Sequence, residues 1–345
     1  MKSKYYTLEK RNNGSCDLRI KQTPILYQYR SVNSYSVKAL MNSEIWATVP
    51  TAFNDPYDSA FCFRELVLKQ SIRKHINAQN MSIYADLLFG GNKKGKYRVS
   101  DIVDQIYLRF FYDSISKARE GFCVSCFSEV YDSEIMWAHY AGNATGFLVE
   151  YDGRQLESVA ADHRKRYTSI AMSMDIAGID MNNYPEPDFV SLLPVIYTVL
   201  KPNYESVFAE IIDPFFAYFD ECINGADMMD ATKEYLTTVF NSIQGDDSRR
   251  DRTHTLLCSK QKAWSYEKEW RIWSYNMNSL IGQVTDKHVC LGKVKPLSIC
   301  LGEYISKYDE IALVEIAKTI LDIPVYKMKT QTKRNGMRLV PHQIC

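Results

Sequence analysis

The chain has 345 residues, of which 46% are hydrophobic and 24% charged, so it can bury the core of one large globular domain or of two. Its 42 basic and 41 acidic residues leave a formal charge of +1, which argues against a general polyanion-binding protein. No apolar run approaches a membrane helix, the N-terminus lacks a signal-peptide core, and nine scattered cysteines are typical of free thiols, so we expect a soluble cytoplasmic protein.

The first part of the chain predicts a strand and then helices. Residues 1–22 are polar, and we expect a loosely held lead-in before a single domain over 23–345. The alternating run ILYQYRS (25–31) predicts a strand. The amphipathic stretch SYSVKALMNSEIWA predicts a helix capped by Ser31 or Asn33. Residues 65–120 predict helices interrupted by the loop FGGNKKGKYR.

The second part predicts short strands around a helical insertion. Strands are expected at 121–128 and 144–152, polar loops over 153–183, and a helical insertion over about 185–245. THTLLCSKQKAW then predicts a helix that leads into the strand EKEWRIWSY. The tail predicts the strands HVCLG, PLSICLG, PVYKMK and GMRLVPHQ, with the helix KYDEIALVEIAKTIL before the last two. Short strands from both ends of the chain indicate an α+β fold.

The pair Cys123 and Cys126 is more typical of a protein core than of a metal or redox site. In an alternating strand the two side chains point to opposite faces, no second ligand pair lies at workable spacing, and a redox motif would begin a helix. The chain also has no phosphate-binding loop, dinucleotide fingerprint, zinc-protease motif or nucleophile elbow.

Two further stretches each allow a structural and a functional interpretation. In MWAHYAGN, Trp137 and Tyr140 suit a core and His139 partial exposure, although His139 can also orient a substrate. The run FNDPYD (53–58) suits a capped turn, and the alternative is direct contact with a ligand.

The stretch WSYEKEWRIW (264–273) carries two acids among three tryptophans. If it is a strand, Glu267, Glu269 and Arg271 share one face, and the two same-face carboxylates repel each other. An exposed acid–base pair explains this pattern. The alternative is the wall of a pocket, in which the apolar side anchors the strand and the carboxylates face a ligand.

The chain resembles two protein families. Four blocks, in this order, resemble a widespread bacterial family of domains of unknown function: FNDPYD, CFSE with IMWAHYAGNATGFLVEYD, KQKAWSYEKEWRI and PLSICLG. More distantly, LYQYRS, FCVSCFS and YEKEWRI resemble the three strand motifs of the ADP-ribosyltransferase superfamily. Two departures are Gln28, where histidine-type members have histidine, and the long segment 185–245.

The second resemblance implies a split β core with surrounding helices and assigns residues to a site. It implies Glu269 as the catalytic glutamate and Glu267 as its companion, with Arg30 binding phosphate or ribose oxygens. Its further implied cofactor-binding residues are Tyr29, Ser125, Ser128, Trp137, His139 and Tyr140. NAD would be the substrate, and the resemblance implies no metal.

The resulting hypothesis is NAD-dependent transfer of ADP-ribose to a protein or RNA, or NAD cleavage, with a defensive or toxin-like role in bacteria. Loss of nicotinamide leaves an oxocarbenium-like ribose, which a carboxylate stabilises while a second acid activates the nucleophile. One alternative is a nucleic-acid-binding or processing protein, motivated by the basic segments HRKRY, SRRDR and KTQTKRNGMR. Another is a non-catalytic sensor that binds a nucleotide in a degenerate pocket.

Overall fold

A computed structural model describes ten segments of the chain, and all structural statements below concern these: 3–10, 16–59, 64–90, 97–112, 122–173, 192–199, 205–223, 258–275, 287–333 and 336–345. The strands are β1 Tyr6–Lys10, β2 Cys16–Ile20, β3 Ile25–Arg30, β4 Glu44–Thr48, β5 Phe122–Ser128, β6 Phe147–Asp152, β7 Leu192–Pro194, β8 Ile196–Thr198, β9 Ser259–Gln261, β10 Glu269–Tyr275, β11 His288–Lys293, β12 Ser298–Leu301, β13 Val325–Lys333 and β14 Gly336–Gln343. The helices are α1 Ser34–Met41, α2 Glu65–Lys74, α3 Met81–Phe89, α4 Val99–Ile106, α5 Glu134–Tyr140, α6 Gly153–Ser173, α7 Glu205–Ile223 and α8 Lys307–Glu315.

Ten of these strands form one mixed sheet, so the fold is α+β. Its main path runs β11-β4-β5-β3-β6-β12-β13-β14, and β10 and β7 extend it from β5. β12 and β13 pair in parallel, which requires a crossover connection, and α8 supplies it. The other described pairs in this sheet are antiparallel.

The sheet divides at β5. Along one edge, β5 pairs with β10 over all seven of its residues. On the opposite edge it meets β3 through the single pair Tyr27–Ser128 and β4 through the single pair Thr48–Val124. Residues 125–127 therefore lie between two strands that diverge from β5, and space opens beside them.

Two apolar clusters hold this arrangement together. The main one lies on one face of the sheet, where Leu26, Trp270 and Ile272 pack beneath residues of α1, α6 and α8. Fully burying one such side chain contributes about 2–3 kcal/mol. A second cluster joins α2, α3, α4 and α7 around Tyr84 and Phe216. The first cluster contains residues of β3 and of β10, which lie on opposite sides of β5, so it fixes the relative position of these strands.

Most predicted elements are confirmed. β3 is the strand predicted over 25–31, and the predicted strands and helix of the tail are β11–β14 and α8. Asn33 caps α1: its Oδ1 accepts a hydrogen bond from Ser36 N at 2.9 Å, and Ser36 Oγ accepts one from Asn33 N at 3.1 Å. The predicted lead-in contains the β1–β2 hairpin, and Tyr6 packs edge-on against Trp270 with ring centroids 6.1 Å apart.

Four predictions about local structure were wrong. The helix predicted over 34–47 ends at Met41, and Glu44–Thr48 form β4, which pairs with β11. Residues 153–173 form α6 rather than loops, because Leu156, Val159 and Ala160 recur at helical spacing and pack into the core. Ser259–Gln261 is a strand paired in parallel with β8, not a helix. The strand expected to include Glu267 begins two residues later, at Glu269.

The expected helical insertion over about 185–245 is only partly helical where it is described. α7 lies within it, but β7 pairs with β10 in the main sheet and β8 pairs with β9. Its residues 185–191 and 224–245, like the segment SRRDR, fall outside the described residues. No helix in the described segments is both long enough and apolar enough to cross a membrane.

Candidate functional site

A cavity of about 300 Å³ opens where the sheet divides. β3 contributes residues 27–30 to its lining, β5 contributes residues 124–128, and the turn after β4 contributes Phe53, Asn54 and Asp55. Lys260, Glu267 and Glu269 also line it, together with Asp58, Trp46, Thr48, Ala52, Met136 and Tyr140. This volume is at the lower end of small-molecule sites and accommodates part of a nucleotide.

Arg271 lies at the centre of a buried charged cluster beside the cavity. Its Nη1 and Nη2 donate to Asp58 Oδ1 and Oδ2 at 2.8 and 2.6 Å. Its Nε and Nη2 also donate to Glu269 Oε1 and Oε2 at 2.7 and 2.9 Å. Arg271 is 0% exposed and Asp58 is 1% exposed. Because bidentate pairs fix direction as well as distance, Glu269 is held in one orientation by a residue of its own strand.

Lys260 connects three carboxylates. Its Nζ lies 2.7 Å from Glu267 Oε2, 3.3 Å from Glu269 Oε2 and 3.3 Å from Asp58 Oδ2. The other oxygen of Glu267, Oε1, accepts a 2.5 Å hydrogen bond from Tyr140 Oη. Both oxygens of Glu267 thus have a donor, and one donor, Tyr140, belongs to α5 on the cavity wall.

The ionised cluster carries an excess of one negative charge, because three carboxylates face two cations. Burial raises the pKa of Glu267 to about 7, and repulsion from Glu269 adds to this, while Lys260 opposes it. Burial acts on Asp58 and Glu269 in the same direction, but Arg271 outweighs it and holds both pKa values below the usual value. Glu267 is therefore the carboxylate able to exchange a proton near neutral pH, whereas Glu269 stays ionised.

The local backbone brings Glu267 and Glu269 to the same cation although they are not on one strand face. Residues Lys262–Glu267 form a 3-10 turn, and Lys268 follows in the left-handed region with φ 42° and ψ 54°. Such a conformation costs a non-glycine residue about 1–2 kcal/mol. Hydrogen bonds fix both sides of it: Ser128 Oγ donates to Glu267 O at 2.6 Å, and Glu269 N donates to Tyr197 Oη at 2.9 Å.

Comparison with known proteins identifies the part of the chain that contains the acid pair. The model of DUF2971, a protein family of unknown function, matches residues 136–272. Residues 136–272 are referred to below as the DUF2971 segment. No curated protein and no solved structure matched the chain. The resemblance to ADP-ribosyltransferases therefore stays a prediction.

The DUF2971 segment supplies one side of the site, and the preceding part of the chain supplies the other. Tyr140 and every charged residue of the cluster except Asp58 lie within the segment. Asp58, β3, β4 and β5 lie before it. The cavity thus forms where the DUF2971 segment packs against the strands that precede it.

Arg30 and Ser125, both predicted site residues, line the cavity on either side of the division. Arg30 Nη2 donates to Gln28 Oε1 at 2.8 Å, and Gln28 Nε2 donates to Ser125 Oγ and to Cys126 O, each at 3.3 Å. The amide of Gln28 thus spans the gap between β3 and β5 and orients Arg30.

The predicted aromatic residues separate into two groups. Tyr29 and Tyr140 line the cavity, and Tyr29 Oη is anchored to Val130 O at 2.9 Å. Trp137 and His139 are not among the described residues that line it. Trp137 is buried edge-on against Tyr29 with centroids 5.3 Å apart, and His139 is exposed with its Nδ1 3.3 Å from Tyr266 Oη. Trp137 therefore supports Tyr29 from behind.

The two cysteines of the strand point to opposite faces, as predicted. Cys123 faces the main apolar cluster, whereas Cys126 lines the cavity beside Glu269. Burial, followed by repulsion from Glu269, raises the thiol pKa of Cys126 well above its usual value. Since the thiolate is the nucleophilic form, Cys126 is not a nucleophile at neutral pH.

The turn FNDPYD combines the two interpretations that its sequence allowed. Asp55 Oδ1 accepts a hydrogen bond from Tyr57 N at 2.9 Å, which makes a capped turn. Asn54, Asp55 and Asp58 nevertheless line the cavity, and Asp58 binds Arg271. The turn therefore joins the cavity wall to the charged cluster.

Sequence reasoning missed two members of the cluster, Asp58 and Lys260. Both lie in blocks that carried the family resemblance, FNDPYD and KQKAWSYEKEWRI. The available signal was charge in aromatic surroundings: Asp58 follows Tyr57, and Lys260 precedes Trp264. A charged side chain buried in such surroundings needs a partner of opposite charge.

Proposed function

We propose that the protein transfers ADP-ribose from NAD to a macromolecular acceptor, or cleaves NAD when water is the acceptor. One observation carries the proposal: Glu269, whose pKa lies below its usual value, and Glu267, with a pKa of about 7, line the same cavity. Displacement of nicotinamide passes through a ribose with oxocarbenium-like charge, and reactions of this type use two carboxylates in different protonation states. A defensive or toxin-like role in bacteria fits such chemistry.

The two acids have different roles in this proposal because they have different hydrogen-bond partners. Glu269 is fixed by Arg271 and Lys260, so it presents a preorganised negative charge to the ribose without reorientation during the reaction. Glu267 can take up a proton near neutral pH and accepts the one released by the incoming nucleophile.

The charge distribution along the cavity suits NAD. Tyr27 pairs with Ser128, whose hydroxyl bonds to Glu267 O, and Arg30 lies three residues further along β3. Three residues of an extended strand span about 10 Å, so Arg30 lies about 10 Å along β3 from Tyr27, which is beside the acid pair. A ligand with a cationic ring near Glu269 and a diphosphate near Arg30 satisfies both charges, and guanidinium groups bind phosphate well.

The decisive test is nicotinamide release from NAD by the purified protein, with and without bacterial lysate as a source of acceptor. We expect release by the wild type, a loss of at least about 100-fold in Glu269→Gln, and no change in Glu303→Gln, a matched change on the far side of the sheet. Unfolding temperatures establish that each variant is folded. No release and no NAD binding in either condition would refute the proposal.

The same experiment separates the two alternatives. NAD that binds without turnover, with equal affinity in wild type and Glu269→Gln, would favour a sensor. Of the basic segments behind the nucleic-acid alternative, HRKRY lies within α6, and KTQTKRNGMR spans the end of β13 and the start of β14. None of their described residues lines the cavity, and SRRDR lies outside the described residues. RNA or DNA affinity that falls steeply with salt would favour that alternative.

A further inference from the structure

Building on the proposed function, we propose that Tyr140 relays the proton of an attacking hydroxyl group, water in the simplest case, to Glu267. Tyr140 lines the cavity and donates to Glu267 Oε1 at 2.5 Å. Its position at the end of α5 places the phenol oxygen between the cavity and the carboxylate that receives the proton.

Glu267 lines the cavity, but each of its carboxylate oxygens is already bonded to a donor. It is 2% exposed, its Oε2 is bonded to Lys260, and its Oε1 is bonded to Tyr140. Lys260 is an ammonium group and has no lone pair to accept a proton. Tyr140 Oη has its only hydrogen directed at Glu267, so its lone pairs remain to accept a hydrogen bond from a hydroxyl group in the cavity. Of the two groups bonded to Glu267, only Tyr140 can accept a proton from a molecule in the cavity while it donates its own proton to Glu267.

The relay balances the reaction. The nucleophile loses its proton to Tyr140 Oη as the proton of Tyr140 moves to Glu267 Oε1. The electron pair of the broken O–H bond forms the new C–O bond at the anomeric carbon of the ribose. The electron pair of the C–N bond leaves with nicotinamide, which departs as a neutral molecule. Glu267 then returns one proton to solvent, so NAD and R–OH yield the ADP-ribosyl ether, nicotinamide and a proton.

The surrounding elements hold Tyr140 in place. Ser133 caps α5 by accepting from Met136 N at 3.3 Å, and Trp137 Nε1 donates to Tyr131 O at 2.8 Å. After α5 the chain approaches β3 so closely that a Cβ on Gly146 would lie 2.2 Å from Arg30 O. The segment that follows Tyr140 thus packs directly against β3, the strand that carries Arg30.

Four other titratable groups surround the Tyr140–Glu267 pair, and a kinetic test must separate them from it. Lys260 and Glu269 contact or repel Glu267 directly. Tyr266 directly precedes Glu267 in the 3-10 turn, and the ring of His139 lies 6.2 Å from that of Tyr140. The pKa of Lys260 is raised and that of Glu269 is lowered, so both stay charged over the neutral range.

The test compares Tyr140→Phe, Glu267→Gln and the double variant, with Tyr326→Phe as a control for hydroxyl loss away from the cavity. We expect each single change to lower kcat for nicotinamide release about 100-fold, with KM within about three-fold, and the double variant to lose no more than either single variant. If the two residues act as one unit, either single change already removes their whole contribution to the rate. If they act independently, the two fold-losses multiply in the double variant.

Solvent isotope effects supply the second readout. In mixtures of light and heavy water, two protons in flight predict a bowed plot of the wild-type rate, and a straight line would overturn the relay. A Tyr140→Phe variant within three-fold of wild type, or losses that multiply in the double variant, would overturn it as well. A wild type that releases no nicotinamide refutes the proposed function itself, and the relay with it.

Discussion

Replacement of Glu267 by glutamine provides a test of the site that does not depend on any substrate. Burial gives this carboxyl a pKa of about 7 in the folded protein, against 4.5 as its ordinary value. The folded state therefore holds the proton more tightly than the unfolded chain. Below the ordinary pKa the acid is protonated in both states, and as pH rises through the folded pKa the protein is progressively destabilised.

The magnitude follows from the size of this shift. A change of about 2.5 pKa units, at about 1.4 kcal/mol per unit, corresponds to about 3 kcal/mol when Glu267 is fully ionised. Most of it develops between about pH 5 and about pH 8. Glutamine cannot ionise, so Glu267→Gln avoids this destabilisation at high pH. Its amide oxygen still accepts from one of Lys260 and Tyr140, and the bond to the other donor is lost at every pH.

The assay is chemical denaturation of both proteins at about pH 5 and about pH 8. The free energy of unfolding of Glu267→Gln, measured relative to wild type, should be about 2–3 kcal/mol more favourable at the higher pH. Glu303→Gln should show no such difference, because the bonds of Glu303 to Thr330 lower its pKa and leave it ionised throughout this range. A constant difference for Glu267→Gln, within about 0.5 kcal/mol, would mean that Glu267 is already ionised near pH 5 and would refute the division of roles between the two acids.

Two further predictions concern the stability of the cluster. Asp58→Asn removes one carboxylate from the buried Arg271 and should lower the free energy of unfolding by about 3 kcal/mol, as measured by denaturation; a loss under about 1 kcal/mol would show that Glu269 alone neutralises the guanidinium. Lys268→Gly relieves a left-handed backbone and should raise the free energy of unfolding by about 1 kcal/mol, whereas Lys262→Gly in the preceding turn should lower it; equal effects of the two changes would contradict the strain at Lys268.

The strands and amphipathic helices were predictable because their patterns are local. Alternation in residues 25–31 identified β3, and the polar residues before an amphipathic run predicted Ser31 or Asn33 as the cap, of which Asn33 is the one observed. The failure at Ser259–Gln261 has a different cause. A three-residue strand carries too little periodicity to be recognised, and this one exists through its parallel partner β8, about 60 residues earlier.

The candidate site was predictable in part. A pair of glutamates two residues apart among tryptophans allowed either an exposed acid–base pair or a pocket wall, and both carboxylates are buried and line the cavity. Tyr29, Arg30 and Tyr140, which only the resemblance implied, line it as well. The sequence assigned the two glutamates to one strand face, but a 3-10 turn and Lys268 bring Glu267 into position by another route. Which acid keeps its proton depends on Asp58 and Lys260, whose proximity is created by tertiary folding, so no local pattern could have assigned it.

The link between Asp58 and Arg271 also has a consequence for biosynthesis. The two residues are 213 positions apart, and Tyr140 and Lys260 reach the same cluster from two further segments. A nascent chain on the ribosome cannot assemble the acid pair with its cations until residue 271 has emerged from the exit tunnel. Translation products that stop before residue 271 lack the guanidinium that binds both Asp58 and Glu269, so the charged cluster cannot assemble in them.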